Sequence, residues 1–141
     1  MAEGILRHRL HGIGRNDITV SSMGIHGQDG KSATNEGVAV CAENSIDISG
    51  HLARPLHFDE LKSAGLIFVM EPVQKEYIRT FVPSIEERLS LFAVWPAEPQ
   101  NKKSSTIPDP VGGSLADYRK TFTLISSHME RILPFLLAQM P

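Results

Sequence analysis

Residues 65–71 read GLIFVME, and the apolar run Gly65–Met70 ahead of Glu71 decides the fold class. A strand covered on one face alternates apolar and polar residues. A continuous apolar run of this length fits a strand buried on both faces of a parallel sheet. Pro72 follows, just inside the start of a helix predicted over Val73–Phe81, which Pro83 ends. Working outward, Leu89–Val94 is a second buried run, and Asp59 can cap a short helix over Glu60–Ser63. Asp17–Ser21 (DITVS) is β-branched between Gly14 and Gly24 and predicts a further strand. Helices are predicted over Met1–Leu10, stopped by Gly12 and Gly14, and over Ala33–Asn44. A long helix is predicted over Ser114–Gln139, with Tyr118, Phe122, Ile125, Met129 and Ile132 along one face and Pro134 kinking or fraying its last turns. Trp95–Pro110 holds four of the nine prolines and reads as a loop, with Lys102 and Lys103 as solvated charges. The order α-β-α-β-α-β-α predicts an α/β fold, a three-layer parallel sheet with helices on both faces. Such a sheet places its ligand at the carboxyl ends of the strands.

The composition agrees with one globular domain over residues 1–141. Hydrophobic residues make up 41% and charged residues 21%, which excludes a disordered or fibrous chain. Fourteen basic and 16 acidic residues leave a formal charge of −2 without a basic run, which argues against a nucleic-acid partner. No apolar stretch approaches the roughly 20 residues of a membrane span, so no membrane partner is expected. The N-terminus lacks the apolar core of a signal peptide. Cys41 is the single cysteine, so no internal disulfide forms, and a cytoplasmic setting is expected. The six histidines do not cluster with cysteine at zinc spacing, and neither a metal nor a cofactor is expected.

Four stretches carry chemistry: MAEGILRHRL at 1–10, DISGHLARPL at 47–56, GLIFVME at 65–71 and IPDPVGGSLADYRKTF at 107–122. In this order they resemble the low-molecular-weight protein tyrosine phosphatase family over nearly the whole chain. The last resembles the bacterial D-P-x-G-G-S branch, which includes protein-arginine phosphatases. The resemblance implies phosphate-monoester hydrolysis through a phosphocysteine, with a phosphorylated protein as partner. In the family the M-A-E helix directly follows a C-x5-R-S-P loop. There a thiolate attacks phosphorus while backbone N–H groups and an arginine fork hold the phosphoryl oxygens. Six residues after Cys41 stands Asp47, not arginine, and Cys41 reads as a small buried hydrophobe. The chain is therefore expected to be N-terminally truncated, to lack the family's first central strand and nucleophile loop, and to be inactive as written. An in-frame C-x5-R-S-P upstream of the Met1 codon is the expected explanation.

Within the resemblance, Asp109 corresponds to the general acid, held between Pro108 and Pro110. From the residues alone it reads first as a turn aspartate. Ser22 and His51 correspond to side chains that support the phosphate loop from behind. Arg54 reads as a structural ion-pair residue rather than a phosphate ligand. Val111 stands where the family usually carries an aromatic on the substrate side, which offers less stacking area and favours an aliphatic phosphorylated side chain. Three functions follow: phosphotyrosine hydrolysis, phosphoarginine hydrolysis, and a non-catalytic interaction module. An arsenate reductase of the same fold is discounted, because no cysteine follows Cys41. The missing strand would leave two edges unpaired, at a cost on the order of 1–3 kcal/mol per dry polar group. With about 5–15 kcal/mol available to a domain, the chain alone is expected to be unstable, rearranged or homo-oligomeric through those edges.

Overall fold

The computed structural model describes residues 1–97 and 105–140. Lys102, Lys103 and the middle of the predicted Trp95–Pro110 loop lie outside the described residues. Two compact units emerge: Met1–Leu56 with Asp109–Pro141, and His57–Pro108.

The first unit is helical. Helix α1 spans Ala2–Gly12 and α2 spans Asn35–Glu43; the third helix of this unit, Leu115–Gln139, is the last in the chain and is labelled α5. Tyr118, Phe122, Ile125, Met129, Ile132 and Leu136 recur at steps of four and three along α5, and all are buried. That spacing keeps one stripe facing inward over about five turns. Ile5 and Leu10 of α1 and Val40 and Cys41 of α2 are buried in the same unit. Gly4 sits so near Ile48 that a Cβ would approach its Cγ2 to 2.5 Å. Arg119 joins α5 to Glu43 of α2 through bonds of 2.9 and 2.6 Å, and Arg9 of α1 reaches Glu130 of α5 at 2.7 Å. These pairs are exposed and set orientation more than stability.

The helix ends follow local chemistry. No side chain caps α1 at Met1. Thr34 caps α2 by accepting from the Gly37 N–H. Ser114 caps α5, exchanging bonds with Asp117 in a reciprocal box. Bonds from Ser114 hold the Asp117 carboxyl below its ordinary range. Pro134 neither ends nor frays α5, which continues to Gln139. Proline removes one N–H from the ladder, and buried Ile132 and Leu136 on either side hold the turn in place.

The second unit holds the sheet. Helix α3 spans Phe58–Ser63, strand β1 Ile67–Val69, helix α4 Pro72–Phe81, a 3-10 turn Pro83–Arg88 and strand β2 Leu89–Leu91. The two strands are parallel, with Ile67, Phe68 and Val69 opposite Leu89, Ser90 and Leu91. Ile67 and Val69 are buried, while Phe68 on the other face packs edge-on against Phe92 and Trp95, with centroids 5.9 and 5.3 Å apart. Gln74 accepts from the Met70 and Glu71 N–H groups at 2.9 and 3.2 Å and closes the entry to α4. Arg88 donates to the Lys62 and Ala64 carbonyls, tying the end of α3 to the strand that follows.

The chain is of the α/β class, with a parallel sheet as predicted. Two expectations change. Asp59 does not cap α3; it lies in its first turn, with His57 at the cap position, and pairs with Lys62 at 3.3 Å. Asp17–Ser21 joins no strand ladder among the described residues. Its β-branched composition favours extension, but a strand also needs a neighbour, and the Val20 carbonyl is taken by the Arg7 guanidinium instead.

Ile132 is fully buried at the middle of the α5 stripe. Ile132→Val is expected to cost about 0.5–1.5 kcal/mol, read as a lower urea midpoint of the far-ultraviolet helix signal.

Candidate functional site

The first turn of α1 carries Glu3, whose side chain is 10% exposed. Its Oε1 lies 3.0 Å from Arg7 Nη2, an i,i+4 pair along the helix. Its Oε2 accepts from Ser22 Oγ at 2.5 Å and lies 3.8 Å from His51 Nδ1. Arg7 also donates to the Val20 carbonyl from Nε at 3.1 Å and Nη2 at 2.7 Å. One carboxylate therefore gathers the serine and the histidine that the sequence pointed to separately. Glu3 itself was not singled out there. Its i,i+4 spacing to Arg7 was readable as a helix pair, but not its meeting with two loops.

Local backbone chemistry delivers both partners. Residues 17–22 return along α1, secured by the Arg7–Val20 bonds. His51 leaves a turn in which Asp47 Oδ1 accepts from the Ser49 N–H at 2.8 Å and the His51 N–H reaches the Ile48 carbonyl at 3.0 Å. Bonds from Ser49 hold the Asp47 carboxyl below its usual range. The exit is pinned by Ala53 N–H to the Lys31 carbonyl at 2.8 Å and by Gly24 N–H to the Arg54 carbonyl at 3.0 Å.

Asp109 lies in the same compact unit and makes no hydrogen bond to Glu3, Ser22 or His51. It is exposed, and its Oδ1 accepts from the Val111 N–H at 3.0 Å. The Gly113 N–H then bonds the Pro110 carbonyl at 2.8 Å across a turn whose third residue, Gly112, has φ +82°. A positive φ at that place is the glycine position of a type II turn. A Cβ on Gly113 would come within 3.0 Å of both the Pro110 carbonyl and Asp117 Oδ2. Both glycines are thus required, one by conformation and one by close approach, and the turn runs straight into the Ser114 cap of α5. Val111 at its tip is 67% exposed.

Cys41 is fully buried in α2, and burial pushes its thiol pKa up. A thiol so placed is neither ionised nor reachable at neutral pH. A cleft of about 470 Å³ lies among α1, α2 and α5, over Val40 and Phe122. None of Ser22, His51, Asp109 or Val111 lines it, and its rim charges are the Arg9–Glu130 and Arg119–Glu43 pairs.

Comparison with known proteins places these features in context. A family model described as low molecular weight phosphotyrosine protein phosphatase matches residues 1–140. The low molecular weight protein-tyrosine-phosphatase Ptp of Acinetobacter johnsonii is 32% identical over 128 residues, covering 90% of this chain and 81% of that one. The crystal structure of a low molecular weight protein tyrosine phosphatase from T. tengcongensis superposes with a TM-score of 0.85 at 27% identity, covering 94% of this chain and 87% of that one. The YwlE arginine phosphatase from Geobacillus stearothermophilus shares the fold, with a TM-score of 0.83 at 19% identity over 98% of this chain and 84% of that one.

Cys41 is expected to react with a thiol reagent such as Ellman's compound only on unfolding. Rapid modification of the native chain, followed by absorbance, would contradict its placement.

Proposed function

Because this chain belongs to the low molecular weight phosphotyrosine protein phosphatase family, we propose that residues 1–141 supply the acid and supporting side chains of a protein phosphatase, and do not complete its active site alone. The observation that carries the proposal is the P-D-P-V-G-G-S turn, which presents an exposed Asp109 from a rigid loop mounted on α5. In the proposed reaction a cysteine thiolate attacks phosphorus as the bond to the leaving group breaks. The Asp109 carboxyl gives its proton to the departing oxygen. Water then attacks the phosphocysteine, the S–P bond breaks, and the Asp109 carboxylate takes the proton that water loses. Ser22 and His51, both against Glu3, support the phosphate-binding loop where it enters α1.

The thiolate and the arginine of C-x5-R are not supplied at that spacing within the 141 residues. Cys41 is buried, and Asp47 stands six positions on. The proposed substrate is a phosphorylated protein side chain. Phosphotyrosine is the first reading, in line with the family. Phosphoarginine is the second, favoured by exposed Val111 at the tip of the acid loop, which offers no aromatic face. A non-catalytic interaction module is the outcome that remains if no completed form turns over. We take the two compact units as parts of one domain, since the first is built from two segments joined through the second. A cytoplasmic setting fits a chain whose single cysteine is a buried free thiol.

The purified 141-residue chain is expected not to hydrolyse an aryl phosphate. Fusion of a strand and C-x5-R-S-P loop ahead of Met1 is expected to create turnover. Asp109→Ala in that fusion should lower kcat by about 10²–10⁴-fold. Turnover by the unfused chain that disappears in Asp109→Ala would show the nucleophile to be misplaced. The unfused chain is further expected to self-associate in sedimentation velocity, through strand edges that pair with no further strand among the described residues. A monomer with a conventional cooperative melt would refute this.

A further inference from the structure

Arg119, Thr123, Ser126 and Glu130 of α5 line the cleft shared with α1 and α2. Each follows a buried residue of the α5 stripe by one position, so the line runs along the solvent margin of that stripe. Its gaps are four, three and four, the same from either end. At about 1.5 Å per residue the line is about 16 Å long. Its end residues carry opposite charges, and its two central residues are short.

One end sets Arg119 against Glu43 of α2, and the other sets Glu130 against Arg9 of α1. Neither pair exhausts its bonding capacity. Arg119 donates to Glu43 from Nε and Nη2, and a guanidinium has five N–H donors. Its Nη1 bonds nothing among the described residues. Glu130 accepts from Arg9 at Oε1, while its Oε2 accepts nothing among the described residues. A spare donor thus stands at one end and a spare acceptor at the other. The four charged side chains are between 40 and 64% exposed, so a partner can reach them. A uniformly acidic or basic partner would meet a like charge at each end. A second copy of α5, laid antiparallel about a two-fold axis between Leu124 and Ile125, meets an opposite charge at both. Arg119 then faces the partner's Glu130, and Thr123 faces the partner's Ser126. An isologous contact has this reciprocity, in which residue i meets j and j meets i.

We propose that this face of α5 is a homodimer interface, with a second copy of the chain as its partner. Each end of the dimer is a ring of four charges of alternating sign. Arg119 and Glu43 come from one copy, and Glu130 and Arg9 from the other. The short side chains of Thr123 and Ser126 let the two helices approach at the centre. The Thr123 hydroxyl already donates to the Arg119 carbonyl at 3.0 Å, so its proton needs no partner across the interface. Exposed ion pairs are individually weak and screened by salt, so the dimer is reversible and salt-sensitive.

The test uses Arg119→Glu and Glu130→Arg in the full 141-residue chain, compared by sedimentation velocity at low ionic strength. A dimer of the first variant puts three carboxylates and one guanidinium in each ring, and a dimer of the second does the reverse. Each variant alone is expected to self-associate about tenfold more weakly than the unsubstituted chain. An equimolar mixture is expected to recover association, because every ring in the mixed dimer again holds two charges of each sign. Loss of the pairs within each chain predicts no recovery, since mixing leaves those contacts as they were. Association through strand edges would leave the unsubstituted chain, both variants and the mixture alike. If either variant fails to fold by circular dichroism, Glu43→Arg and Arg9→Glu serve the same comparison. An unsubstituted chain that stays monomeric, variants that associate as well as it does, or a mixture no better than its components would overturn the proposal.

Discussion

The buried stripe of α5 is the constraint on which the candidate site depends. Tyr118, Phe122, Ile125, Met129, Ile132 and Leu136 give one helix an apolar face long enough to seat two shorter helices. Neither α1, with 11 residues, nor α2, with nine, is long enough to be stable on its own in water. Their placement comes from burying Ile5, Leu10, Val40 and Cys41 in the same unit as that face. Once α1 is seated, its first turn has a defined position, and Glu3 can collect Ser22 and His51. The same helix starts at Ser114, so the Asp109 turn is attached to the element that holds α1. Core packing and site geometry are linked through α5.

The site is organised by hydrogen-bond polarity more than by charge alone. At the α1 end, a carboxylate paired with arginine gathers a hydroxyl. At the α5 end, a carboxylate accepts a backbone N–H from its own turn. The first arrangement uses up the donors around Glu3, while the second leaves Asp109 exposed on a stiff mount. In the proposed reaction Asp109 gives and recovers a proton, which needs solvent and substrate access, whereas the Glu3 carboxylate is already bonded to Arg7 and Ser22. The two acidic residues differ in this way because of their surroundings, not their chemical type.

Much of this was legible in the residues. The apolar run at 65–70 predicted a strand, and β1 lies within it because no polar residue interrupts the pattern. The α5 face was readable because a 3.6-residue period persists over about five turns, while the capping box of Ser114 and Asp117 at its start was shown by the structure. Asp109 between Pro108 and Pro110 read as turn chemistry, and its Oδ1 accepts from the Val111 N–H ahead of the turn at Gly112. The strand predicted at 17–21 was not realised, because β propensity describes a surface suited to a neighbour without supplying one. Capping at 59 was misplaced by two residues, since a weak local signal does not locate a helix end to the residue.

What the sequence by itself determined is the class of fold, the long helix and its buried face, and the identities of Asp109, Ser22 and His51 as residues of interest. The fold class and the long helix follow from periodicity and turn chemistry, which act over a few residues, while Asp109, Ser22 and His51 were marked by the resemblance of the stretches around them to the phosphatase family. Only the tertiary structure decided that Ser22 and His51 face one carboxylate, that this carboxylate is Glu3, and that Arg7 closes the Val20 carbonyl against it. Those contacts join residues far apart in the chain. A hydrogen bond of 2.5 Å depends on where two backbones come to rest, which no local pattern encodes.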